Sequence, residues 1–172
     1  CVGRNHLVRH AHKDGYKTVI MAADSLYPGT GIDRLPGAKK LLGGNCGLVG
    51  LGIEGRGDWT YDMRLGKTFE LVDIADRALS GALPHKSCDI VCNFFMADAE
   101  SLLDTCWDEH IKAGEHQDFF WRYKQNGYKC LWTPAIKAHY VRQKDGEYGM
   151  LRAKNIADGD AYICKKYSIQ KA

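Results

Sequence analysis

Residues 114–141 read GEHQDFFWRYKQNGYKCLWTPAIKAHYV. Phe119, Phe120 and Tyr123 recur at helical spacing behind the acidic pair Glu115 and Asp118, and Asn126-Gly127 stops the pattern, so the stretch predicts a short helix with acids in its first turn. Past that stop, two apolar, aromatic and β-branched runs divided by Pro134 predict strands that deliver His139. A helix feeding strands, with acids at its head and a histidine at the far strand end, points to an α/β domain with a site at its edge.

The rest of the chain extends this pattern outward. Arg4 to His12 reads as an amphipathic helix, with Leu7, Val8 and Ala11 on one side and Asp14-Gly15 as its end. Tyr16 to Ala22 predicts a buried strand, and Asp24-Ser25 follows its carboxyl end. Ligands of open α/β sheets sit beyond such ends, which makes Asp24 a candidate. Pro28-Gly29-Thr30-Gly31 predicts a turn and Ile32 to Leu42 a short helix. Gly47 to Ile53 predicts a second buried strand whose glycines admit a close neighbour. Glu54 to Lys67 reads as a glycine-rich loop, and Thr68 to Ile74 as a hairpin strand. Cys88 to Ala97 predicts a third buried strand, and Asp98 to Thr105 a helix bearing Leu102 and Leu103. With 172 residues, 45% of them hydrophobic, the chain can bury one core, so residues 1–172 are expected to form a single domain.

Composition excludes several partners. A net charge of +3, with no block of Lys or Arg, does not indicate nucleic acid. No apolar run nears the roughly 20 residues of a membrane span. Seven cysteines are uneven in spacing and contain no C-x-x-C pair, so reduced, buried thiols are expected. No asparagine begins an N-glycosylation triplet. These features favour a cytoplasmic location over an oxidising one.

The acids define the candidate chemistry. Glu115, Asp118 and Arg122 share one helix face, and the helix dipole stabilises carboxylates in a first turn. A carboxylate held there suits a general base or a metal ligand, and His116 between them can act as base, donor or ligand. The dipole alone also gathers acids at helix starts, so the pattern admits a purely structural reading. Asp24 and His139, from two strand ends, could together hold Mn²⁺ or Mg²⁺ against a diphosphate. Arg4 and Arg152 are candidates to neutralise a phosphate.

Arg4-Asn5, Ala22-Ala23-Asp24-Ser25, NFFMADAESL, WDEHIKAGEHQDFFWR, NGYKCLWTP and His139-Tyr140 follow in an order that resembles the nucleotide-sugar-dependent glycosyltransferases of the GT-A fold. The likeness is to the family 2-like group, including N-acetylgalactosaminyltransferase-like members, and it is strongest over residues 107–140. It implies a Rossmann-like mixed central sheet flanked by helices, incomplete at the N-terminus because the chain begins at the Arg-Asn helix, without the β-α-β segment that holds the nucleoside. The implied activity is transfer of a hexosyl or N-acetylhexosaminyl group, with inversion, from a nucleotide-diphosphate sugar such as a UDP-sugar to a hydroxyl of a glycan or other acceptor. Asp24 and His139 would then bind Mn²⁺ or Mg²⁺, and Arg4, Asn5, Asp24, Arg122 and Arg152 would contact substrate. Glu115, His116 or Asp118 would activate the acceptor. The family's acidic metal motif is thinned here to Asp24 alone, with alanines and a serine around it. Two other readings follow from the same residues: a non-catalytic GT-A-like module that binds a glycan or a partner, and a metal-dependent phosphodiesterase built on Asp24, His116, Asp118 and His139.

Overall fold

The computed structural model describes residues 1–23, 26–55, 59–141 and 147–170. Helix α1 (Val2–Lys13) turns at Asp14-Gly15 into strand β1 (Thr18–Ala22). The short strand β2 (Leu26–Pro28) follows, then a 3-10 turn (Ile32–Arg34) leading into helix α2 (Leu35–Lys39), and strand β3 (Cys46–Glu54). Strands β4 (Tyr61–Leu65) and β5 (Phe69–Asp73) form a separate antiparallel hairpin. Next come β6 (Lys86–Cys88), β7 (Phe94–Asp98), α3 (Ala99–Thr105), α4 (His116–Gln125), the long β8 (Lys129–Tyr140) and α5 (Glu147–Tyr167).

The main sheet has the order β1-β7-β3-β8-β2, and β6 pairs with the first part of β8. β1 and β3 are each antiparallel to β7, while β3 and β8 are parallel. The sheet is therefore mixed, flanked by helices, and α/β in class with a Rossmann-like character. Its two faces follow from strand alternation. Leu48, Phe95 and Ala97 join Val8, Leu102, Phe119, Phe120 and Tyr123 in one buried cluster beneath α1, α3 and α4. Val49, Leu51, Phe94 and Met96 meet Ala38 of α2 on the other face.

Four sequence expectations change. The run ending at Ala22 is not a buried strand: β1 lies at the edge of the sheet, with Ile20 50% exposed. The run 88–97 is not one strand: β6 ends at Cys88 and β7 begins at Phe94, and Ile90 and Val91 between them are fully buried core fillers. Apolar periodicity cannot separate such a buried connection from a strand. The runs around Pro134 form one strand, because Leu51 pairs with Thr133 and Gly52 with Lys137, which leaves Pro134, Ala135 and Ile136 as a bulge opposite β3. A proline is tolerated there because the bulge asks no ladder hydrogen bond of it. Finally, β4 forms within the stretch read as a loop.

The bulge has a second effect. Before it, Cys130 and Trp132 face the α1/α4 side; Ile136, its last residue, and Ala138 beyond it face α2. An odd number of extra residues has exchanged the faces of β8, and alternation puts His139 on the α1/α4 side, opposite Glu54.

Candidate functional site

β1, β3 and β8 run in one direction, so Ala22, Glu54 and Tyr140 end along one edge of the sheet. α1 and α4 each feed a strand of this set through a short turn, and both begin at that edge. Arg4, in the first turn of α1, pairs with Glu115, the residue that opens α4. This contact closes the site between two helix starts. The Arg4 guanidinium also lies 5.5 Å from the Trp107 ring centroid.

Glu115 is 7% exposed. Burial pushes its carboxyl up, but the charge of Arg4 and then that of His116 outweigh burial, so it lies below its ordinary 4.5. His116 Nδ1 is 3.6 Å from Glu115 Oε1. The His116 ring meets the Trp59 ring edge-on at 5.5 Å between centroids and lies 6.3 Å from that of Phe120. Burial depresses the imidazole below its ordinary 6.5, Glu115 raises it, and Arg4 and Arg152 lower it further. The balance leaves a neutral imidazole beside an ionised carboxylate near pH 7. Arg152, exposed on α5, thus belongs to the electrostatic surroundings of His116.

Asp118 has a different setting. Its carboxylate is fully buried and accepts from Arg122 Nε at 3.0 Å and Nη2 at 2.9 Å, from Lys166 Nζ at 2.6 Å and from Tyr167 Oη at 2.8 Å. Arg122 also donates to the carbonyls of Thr105 and Cys106. Lys166 continues to Asp108 at 2.7 Å. Asp118 and Arg122 therefore lock α4 to α5 and to the end of α3. Asn5 is likewise engaged within the fold: its Oδ1 accepts from the Trp107 N–H at 2.8 Å, while its Nδ2 donates to the Trp107 carbonyl at 2.8 Å and to Glu109 at 2.9 Å. It holds the loop that approaches Glu115.

At the strand ends, His139 Nδ1 is 3.3 Å from Glu54 Oε2. Glu54 Oε1 accepts from Thr30 Oγ1 at 3.1 Å and from the Thr30 N–H at 3.3 Å. The Thr30 hydroxyl, then His139, lower the Glu54 carboxyl below its ordinary range. The tautomer that turns its Nδ1–H to Glu54 would leave Nε2 of His139 for a ligand. Asp24 lies outside the described residues. Among the described residues no group of three or more His, Cys, Asp or Glu side chains is gathered as a metal cage.

Of the residues singled out in the sequence, the structure brings Arg4, Glu115 and His116 together and sets His139 beside Glu54, while Glu54, Trp59, Lys166 and Tyr167 were not singled out. The strand-end argument that singled out Asp24 applied equally to Glu54, whose partner only the register of the sheet reveals. Trp59 and the α5 residues carry no local motif.

No helix among the described residues is long and apolar enough to cross a membrane. No protein-family model matches this chain, and no curated protein matches it. Among solved structures it is similar to A197 from STIV, with 16% sequence identity and a TM-score of 0.54 over 83% of this chain and 67% of that one. At such identity the likeness is one of fold, and it sets the chain among α/β proteins with a central mixed sheet flanked by helices.

Proposed function

We propose that this chain is a glycosyltransferase domain that moves a sugar from a nucleotide-diphosphate sugar to an acceptor hydroxyl. The observation that carries the reading is the meeting of Arg4, Glu115 and His116 at two helix starts, on the sheet edge where Glu54 and His139 end their strands. In this reading His116 is the base. Its neutral imidazole accepts the proton of the acceptor hydroxyl, and the oxygen attacks the anomeric carbon as the bond to the diphosphate breaks, which inverts that carbon. The Glu115 carboxylate stabilises the imidazolium as it forms, much as a buried acid supports a histidine base elsewhere. Arg4 and Arg152 supply positive charge for the departing diphosphate. Asp118, fully engaged by four donors, positions α4.

In this reading a divalent ion would sit at the strand ends. His139, oriented by Glu54, would hold Mn²⁺ or Mg²⁺ through Nε2, as metal-bound histidines hold their other N–H on a carboxylate. Such an ion supplies charge neutralisation at the diphosphate.

The test is release of nucleoside diphosphate from a panel of UDP-hexoses and UDP-N-acetylhexosamines with Mn²⁺ and mixed glycan acceptors, paired with calorimetry of donor binding. Turnover that falls at least a hundredfold in His116→Ala supports the assignment. A folded protein that neither binds nor turns over any nucleotide sugar overturns it. Glycan binding that persists in such a protein would favour the binding-module reading.

A further inference from the structure

We propose that Cys88 and Cys130 form a disulfide bridge that clamps β6 to β8. The two residues stand directly opposite each other in the antiparallel β6–β8 ladder. Opposed residues in antiparallel strands have Cα atoms about 4.5–5.5 Å apart, inside the roughly 4.4–6.8 Å that a disulfide spans. Their side chains share a face. Lys86, two residues before Cys88, lies over Trp132, two residues after Cys130, with its Nζ 5.1 Å from the ring centroid. Both are free thiols in this structure, as the sequence led us to expect, and both belong to the same buried cluster, Cys88 at 4% and Cys130 at 1% exposure. Cys130 Sγ reaches to 3.7 Å from the carbonyl of Asp89, the residue next to Cys88. By contrast, Cys46 stands opposite Lys129.

A bridge here has mechanical purpose. β6 is three residues long and sits beside the outer flank of β8. Through it, the excursion that carries the β4–β5 hairpin is tied back to the sheet. Without a covalent link, the three-residue ladder, the Lys86 contacts and the Thr133 hydroxyl on the Pro84 carbonyl at 2.6 Å hold that junction.

The chemistry is thiol–disulfide exchange with a small disulfide oxidant such as glutathione disulfide. One cysteine thiolate attacks the oxidant and releases one glutathione thiolate, and the second cysteine attacks the mixed disulfide and releases the other. Two S–H bonds are lost, one S–S bond forms in the protein, and the oxidant's S–S bond is reduced to two thiols. Burial pushes both thiols well above their ordinary 9.0. The attacking thiolate is therefore scarce once the sheet has closed, and the bridge forms while the β6 segment is still open.

The experiment refolds the whole chain in a glutathione redox buffer, blocks free thiols in denaturant, and maps peptides by mass spectrometry without reduction. The expected result is a linked pair of peptides containing Cys88 and Cys130, together with a Tm about 10 °C lower after dithiothreitol treatment. Cys88→Ser and Cys130→Ser should each show the reduced protein's Tm and no further response to reductant, while Cys164→Ser should behave as the parent. Recovery of Cys88 and Cys130 as blocked thiols after oxidative refolding overturns the proposal, as does a link from either one to a different cysteine. That mapping is made on the parent chain, so it decides even where a serine variant does not fold.

Discussion

Replacing Glu115 by Gln removes the negative charge that faces His116 at 3.6 Å and leaves Arg4 and Arg152 to act on the ring alone. The His116 pKa should therefore fall further below 6.5, read as an NMR titration midpoint moved to lower pH, and the proposed transfer activity should drop about a hundredfold or more. Asp118→Asn removes the fully buried carboxylate that half-buried donors from Arg122, Lys166 and Tyr167 share. Lys166 keeps Asp108 and Arg122 keeps its two carbonyls, so the loss should cost about 2–3 kcal/mol, and thermal unfolding should come roughly 5–10 °C earlier. Two acids of one helical turn thus give different signatures, one in the chemistry and one in stability. The spacing in the sequence put both on one face but could not divide them, because the division depends on α5, whose Lys166 and Tyr167 arrive from some fifty residues downstream.

β3 shows how far an element can be read from its letters. Its glycines signalled a close neighbour, and the neighbour is Val91: a Cβ on Gly50 would lie 2.5 Å from the Val91 Cγ1. Gly50→Ala should cost about 1–3 kcal/mol by overpacking, measured by chemical denaturation, with the denaturant slope unchanged. The acid-headed helix was legible because its caps and apolar spacing agree with its packing. α5 was not: its glycines and polar residues lower helix propensity. One of those glycines is the reason the helix docks, since a Cβ at Gly159 would meet the Ala113 carbonyl at 2.4 Å. The ion pairs of Lys166 with Asp118 and Asp108 fasten the far end of α5. Lys166→Met should raise amide exchange in residues 147–167 by about tenfold while α4 remains protected.

At the level of the molecule, acid should destabilise the fold in two steps. The native state keeps His116 neutral where the unfolded chain protonates it, so the unfolded state binds more protons and stability falls as pH drops below 6.5. The depressed Glu115 carboxyl contributes stability above 4.5 and loses it as pH falls further. His116→Gln should flatten the decline in Tm between about pH 7 and 5.5 and leave the lower step in place. Both residues belong to the site that Arg4 closes, and Arg4 and Glu115 are 111 residues apart in the chain. Bringing such distant segments together carries a loop-closure cost that no local contact offsets early, so contacts of this span form with the global folding event. The Arg4–Glu115 contact is therefore a clock for folding as well as part of the proposed site. During synthesis it cannot exist until the ribosome has passed residue 115 and β8 has joined the sheet, and on refolding, any activity should return with the slowest structural phase.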